Sequence, residues 1–203
     1  MDPYGKKELL SFYDRHLKDF GDHPQAVRWT PEGQIKRYDA FFAIAGDLTG
    51  KKLLDFGCGK GDFYGFLRSR GVSLSYCGID VNEHLISLAR SKYPGIEFRA
   101  LDIEEERFDR DFDVIIACGV FNLRIGGIGD SMHAVLKILF GLCRGALHFN
   151  VLSAHAPLKD VELHYVVPDE ILKFARRELS PRVTVRNDFV EGDMYLSVIR
   201  EKG

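Results

Sequence analysis

The chain has no apolar run near the ~18 residues that a membrane-spanning helix requires. Its first residues, Met1-Asp2-Pro3-Tyr4-Gly5-Lys6, have neither the apolar centre nor the flanks of a secretory signal, so a cytoplasmic protein without a membrane partner is expected. Cysteine is sparse: four in 203 residues, at 58, 77, 118 and 143. None forms a C-x-x-C pair, which leaves zinc and dithiol chemistry without support, and no metal is expected. Buried reduced thiols in a reducing compartment fit better than a disulfide scaffold. Dense basic runs are missing, and the formal net charge is -2. Nucleic acid is therefore not an expected partner. There is no internal repeat, low-complexity tract or long linker, so residues 1–203 read as a single domain.

What is present suits a globular core: 45% hydrophobic and 29% charged residues. Residues 4–20 carry Leu9, Phe12, Tyr13, Leu17 and Phe20 at helical spacing, closed by Gly21-Asp22-His23-Pro24. A polar loop around Trp29 follows, then a second helix from Ile35 to Ala45. Together they make an N-terminal helical cap, residues 1–46, ahead of a core over 50–203. In the core, strands are predicted at about 52–56, 74–79, 96–100, 112–117, 145–151, 182–188 and 194–200, and helices at about 62–70, 82–92, 130–143 and 168–179. Strand–helix alternation predicts a doubly wound α/β sheet, mostly parallel. The last two strands have only Glu191-Gly192-Asp193 as a turn signal, which predicts one antiparallel strand at the C-terminal end.

The richest stretch is Leu53-Leu54-Asp55-Phe56-Gly57-Cys58-Gly59-Lys60-Gly61-Asp62-Phe63, an apolar strand running through three alternating glycines into a helix. Glycine there permits positive φ and close approach of a ligand to the main chain. It is not a dinucleotide fingerprint, because Asp62 stands where the third glycine of G-x-G-x-x-G belongs and would face a pyrophosphate unfavourably. No Gly-Lys-Ser/Thr follows, so a triphosphate loop is unsupported. Asp55, before the loop, suits a ligand with an ammonium or other cationic group. A second apolar strand ends in Asp80-Val81, 19 residues beyond Gly61, where a carboxylate can accept from both hydroxyls of a ribose. The alternative is an aspartate near the start of the helix after Asn82, which the preceding glycine loop makes the weaker reading. Asp102-Ile103 follows the third strand and can meet an adenine amine and ring, or be a plain turn. The fourth strand opens into Cys118-Gly119-Val120-Phe121-Asn122, where Phe121 can face a ligand or only fill the core.

In this order and spacing, these residues resemble class I S-adenosylmethionine-dependent methyltransferases, over about residues 50 to 150. The resemblance implies a seven-stranded Rossmann-like sheet with its last strand inserted antiparallel. It implies S-adenosylmethionine as cofactor and S-adenosylhomocysteine as product. It assigns Asp55, Gly57, Cys58, Gly59 and Gly61 to the first motif, Asp80 and Val81 to the ribose, Asp102 and Ile103 to the adenine, and Cys118, Gly119 and Phe121 to the methionine side. Trp29, Gln34, Arg37 and Tyr38 can reach over the cofactor as a lid.

Methyl transfer from a sulfonium is an in-line displacement, so alignment and exclusion of water are the main tasks. A base is needed only where the acceptor starts protonated. His155, His164 and Tyr165 are the candidates, in the loop after the fifth strand; His148 lies in an apolar strand and reads as structural. No Asn/Asp-Pro-Pro-Tyr/Phe tetrapeptide follows the fourth strand, and no recognition domain is appended, so a small-molecule acceptor is expected. Methylation of RNA or protein, and a non-catalytic cofactor-binding module, are the other readings.

Overall fold

The computed structural model describes residues 1–201. Its strands are β1 (Lys52–Phe56), β2 (Ser75–Asp80), β3 (Glu97–Ala100), β4 (Phe112–Ala117), β5 (Cys143–Ser153), β6 (Tyr165–Val166), β7 (Val183–Arg186) and β8 (Asp193–Ile199). Its α-helices are α1 (Pro3–Phe20), α2 (Pro31–Ala45), α3 (Asp62–Ser69), α4 (Glu83–Lys92), α5 (Ile128–Leu142) and α6 (Pro168–Phe174).

Consecutive apolar residues decide where the sheet lies. In β1 both Leu53 and Leu54 are fully buried, and in β4 so are Ile115 and Ile116. Successive side chains in a strand point to opposite faces, so such strands must be covered on both sides. Leu54, Ile115, Leu147 and Phe149 pack under α5 and α6. Leu53, Val114, Ile116 and Tyr195 pack under α2 and α3. The strand order is β3-β2-β1-β4-β5-β8-β7, with β6 paired to the end of β5. Only β8 runs against the rest, antiparallel to both β5 and β7. This is the mostly parallel, doubly wound sheet with an antiparallel C-terminal strand and two preceding helices that the pattern predicts.

Four local features differ from the sequence reading. α2 begins at Pro31, four residues before Ile35, because Thr30 caps it: its hydroxyl accepts from the Gly33 amide at 3.0 Å, and proline suits the first helical position. The loop before it contains a 3₁₀ turn, Pro24–Val27. The last predicted helix is α only to Phe174 and continues as a π turn over Ala175–Leu179, and the two residues of β6 are too few to show a period. His148 is structural, as expected: it is buried, its Nδ1 lies 2.7 Å from Ser197 Oγ, and burial pushes its pKa down to about 4. No described helix is long and apolar enough to cross a membrane.

The order of strands reverses direction between β1 and β4, since β1 is followed outward by β2 and β3 and β4 by β5. At such a switch point the connections leave in opposite directions and a crevice opens at the carboxyl edge. A cavity lies there, lined by residues at the ends of β1, β2 and β4.

Candidate functional site

Gly57, Gly59 and Gly61 all have positive φ, at 70°, 52° and 76°. The loop they form spends its amides on its own fold. The amides of Gly57 and Cys58 donate to Ile79 O at 2.8 and 3.1 Å, and Gly61 donates to Cys58 O at 3.0 Å. The Gly59 amide donates to Asp80 Oδ2 at 2.9 Å. A phosphate-binding loop aims such amides outward at an anion, and this loop does not. That distinguishes it from a phosphate loop better than Asp62 does. The Asp62 carboxylate is matched by Lys60 and Lys92, at 2.5 and 2.6 Å, and takes a hydrogen bond from Gln34 at 3.0 Å. Its repulsion of a pyrophosphate is therefore largely cancelled.

Asp55, Gly57, Cys58 and Gly59 line the cavity, and Gly61 does not. A Cβ on Gly61 would lie 2.8 Å from the Phe98 ring and 3.3 Å from Ala89, so this glycine serves the packing of the loop against α4 and β3. Asp55 is buried and accepts a hydrogen bond from the Tyr76 hydroxyl. Burial pushes its pKa up to about 7 against the Tyr76 bond, and the charges of Asp80 and Asp62 add to the rise.

Asp80 and Val81 line the cavity from the end of β2. Asp80 Oδ1 accepts from the Asn82 amide and Oδ2 from the Gly59 amide, both at 2.9 Å. The ribose and helix-start readings of this residue are therefore compatible, since one lone pair of each oxygen is still free. Asp102 and Ile103 line the far end, where Asp102 is paired with Lys6 at 2.6 Å and accepts from the Glu104 amide at 3.0 Å. From the other side come Cys118, Gly119 and Phe121. The Gly119 amide donates to Asn150 Oδ1 at 2.7 Å, and Asn150 Nδ2 donates to Asp193 at 2.9 Å. Arg37 donates to both oxygens of Asp193 at 2.8 Å. This buried chain ties α2, β8 and β5 to the loop after β4.

The roof is only partly the one expected. Trp29 and Tyr38 line the cavity. Gly119 is needed beneath Trp29, because a Cβ there would lie 2.5 Å from the indole Cζ2. Gln34 and Arg37 act from behind, on Asp62 and Asp193. The rest of the roof is α1, with Lys6, Leu9, Leu10 and Tyr13, which the sequence reading did not place at the site. Burial pushes the Tyr13 hydroxyl up to about 12, with the nearby Asp80 charge adding to it. The only signal for α1 is its apolar stripe, which fits any amphipathic helix.

His155, His164 and Tyr165 stand outside the cavity. His155 is exposed. His164 Nδ1 lies 3.1 Å from Phe121 O, and the Tyr165 hydroxyl accepts from the Asp160 amide at 2.8 Å. Among the described residues no histidine lines the cavity, and no cluster of three possible metal ligands occurs.

Residues 53–138 match the family model described as "Methyltransferase domain". A provisionally named methyltransferase of Mycobacterium tuberculosis is 28% identical over 141 residues, covering 66% of this chain and 84% of that protein. Among solved structures, the DhpI–SAM–HEP complex superposes with a TM-score of 0.73 at 16% identity, covering 99% of this chain and 100% of the other. The magnesium protoporphyrin IX methyltransferase of Synechocystis PCC 6803, with bound SAH, gives 0.67 at 16% identity, covering 97% and 100%.

Proposed function

Because the chain carries a class I S-adenosylmethionine-dependent methyltransferase domain, we propose that it methylates a small molecule, within the cavity at the β1–β4 switch point. The carrying observation is the succession of strand ends around that one cavity: Asp55 and the glycine loop, Asp80, Asp102, then Cys118 to Phe121. Asp80 takes the two ribose hydroxyls, and Asp102 with Ile103 takes the adenine. Asp55 faces the amino acid end. S-adenosylmethionine, when bound, supplies a methyl already activated on a sulfonium sulfur. The chain's own residues then align donor and acceptor and keep water out.

Two features support a small acceptor over RNA or protein. Residues of α1 together with Trp29 and Tyr38 wall the cavity, which suits a small acceptor. Its wall also carries five acids, Asp55, Asp62, Asp80, Asp102 and Glu104, against the side chains of Lys6 and Lys60, which is no positive groove for a nucleic acid. The Synechocystis neighbour, which shares the fold, is named as a magnesium protoporphyrin IX methyltransferase, and this supports a small acceptor.

Calorimetric titration with S-adenosylhomocysteine should give saturable binding. No heat at high micromolar ligand would sink the reading. The affinity should also depend on pH. In the free protein Asp55 holds its proton up to about 7, and an incoming ammonium favours the ionised form. Binding therefore releases a proton below that pH, and affinity rises with pH, by up to tenfold per unit, until Asp55 is ionised in the free protein too. Asp55→Asn should flatten the profile; an unchanged slope would remove Asp55 from the ammonium.

A further inference from the structure

Three residues of the loop before α2 form a strap across the crevice, from one side of the switch point to the other. Val27 and Trp29 both line the cavity. Val27 sits on Gly59, after β1, where a Cβ would lie 3.4 Å from its Cγ1, and Trp29 sits on Gly119, after β4. Arg28, between them, reaches elsewhere. Its Nη2 donates to Asp160 Oδ2 at 2.8 Å and to Glu162 Oε2 at 2.7 Å, in the loop between β5 and β6. That loop is itself joined to the segment after β4: the Arg124 amide donates to Glu162 O and the His164 amide to Asn122 O, both at 2.8 Å. One side chain therefore ties the strap to a third loop of the carboxyl edge.

Arg28 has φ 62° and ψ 33°, and among the described residues it is the only non-glycine with positive φ. The 3₁₀ turn Pro24–Val27 ends there, with the Arg28 amide donating to Gln25 O at 2.9 Å and the Trp29 amide to Pro24 O at 3.1 Å. Glycine or asparagine usually fills such a position, because a β-carbon crowds the backbone in it. Another residue stays there only where its surroundings hold it. Upstream, the Asp22 carboxylate is fixed by Lys60 at 3.0 Å and Lys92 at 2.6 Å. Downstream, the hold is the Arg28 guanidinium on its two carboxylates, one cation shared by two partly exposed acids. Such pairs are individually weak, so this fastening is one that can open. α2 backs the indole with the Arg37 guanidinium, 5.3 Å from the ring centroid, so losing Arg28 should loosen the strap without detaching it.

We propose that Arg28 is a positioning residue: by gripping Asp160 and Glu162 it holds Val27 and Trp29 down on Gly59 and Gly119, and so slows release of the cofactor from the cavity beneath. The inference rests on the cofactor reading above. It explains why an arginine stands where glycine would suit the backbone. It also explains why the loop between β5 and β6, none of whose residues lines the cavity, turns two acids toward the strap.

Trp29 is the single tryptophan of the chain, so its fluorescence reports the strap even without a ligand. Arg28→Ala should move the emission to longer wavelength, as water reaches the indole. It should also speed dissociation of S-adenosylhomocysteine, followed by stopped flow, about fivefold. Asp160→Asn with Glu162→Gln, which leaves Arg28 in place, should do the same, and adding Arg28→Ala to that pair should change nothing further. Arg28→Lys, which keeps the charge, should recover part of both effects. Lys36→Ala, which removes a 2.6 Å ion pair with Glu32 elsewhere on the surface, should alter neither. Additive effects of the arginine and acid variants would mean that the grip is not what holds the strap. An emission shift with unchanged dissociation would leave Arg28 a merely structural fastening; each result overturns the inference. A wild type that binds no S-adenosylhomocysteine would overturn the cofactor reading, and this inference with it. A wild type that binds, with Arg28→Ala indistinguishable from it, overturns this inference alone.

Discussion

Asp193→Ala should destabilise the fold by about 3–5 kcal/mol, the usual consequence of removing one partner of a buried ion pair. Asp193 is 2% exposed, and Arg37 reaches it with two parallel hydrogen bonds of 2.8 Å. The aspartate also accepts from Asn150 Nδ2 at 2.9 Å and from the Tyr195 hydroxyl at 3.3 Å. Alanine would leave a guanidinium, an amide and a phenol without their common acceptor, and the Arg37 side chain is only 17% exposed, too little for water to replace it. A double variant, Arg37→Met with Asp193→Leu, should recover most of the loss, because the orphaned charge is then gone. Chemical denaturation of the three proteins checks this. A cost for Asp193→Ala below about 1 kcal/mol would place the pair in a far more polar setting than its burial indicates. The change should also reach the site, since Asn150 would be free to turn away from the Gly119 amide, which it holds at 2.7 Å.

That chain of contacts also shows which parts of the site can be read from sequence and which cannot. Asp55, Asp80, Asp102 and the Cys118–Phe121 segment are legible because each sits at the end of an apolar strand. The sheet topology then brings strand ends to one edge. The fold is legible for the same reason: β1 and β4 are apolar on consecutive positions, and only a sheet covered on both faces accommodates that. Arg37, Asn150 and Asp193 come from α2, β5 and β8, and nothing in their local sequence links them. Their meeting follows from the β5–β8 register, which sets Asn150 opposite Tyr195 and Leu152 opposite Asp193. The α1 roof is illegible for another reason. Leu9 and Tyr13 obey the same helical period as any core stripe, and the stripe does not say that it covers a cavity rather than a sheet. Gly61 shows the reverse error. Its place in an alternating glycine pattern suggests ligand contact, while the Phe98 ring is what its missing side chain makes room for.

The largest effect on the site should come from Asp80→Ala. S-adenosylhomocysteine should bind about 150-fold more weakly, equivalent to about 3 kcal/mol. A carboxylate has about four lone-pair sites, and Asp80 has committed one per oxygen, to the amides of Asn82 and Gly59. Those bonds orient the group, so that the remaining two lone pairs are set for vicinal hydroxyls. Each hydrogen bond to a charged acceptor contributes about 1.5–3 kcal/mol net. The pair would give up to twice that, but the space left by alanine can admit water, which lowers the loss to about 3 kcal/mol. Asp80→Asn should fall between the two, because it keeps one acceptor oxygen and loses the charge. A ligand lacking the ribose 2′-hydroxyl separates recognition from mere loop disorder. Against that ligand the Asp80→Ala penalty should shrink by at least tenfold, since one of the two bonds is already absent. An undiminished penalty would mean that Asp80 acts only by holding the Gly59 and Asn82 amides, and that the ribose is bound elsewhere.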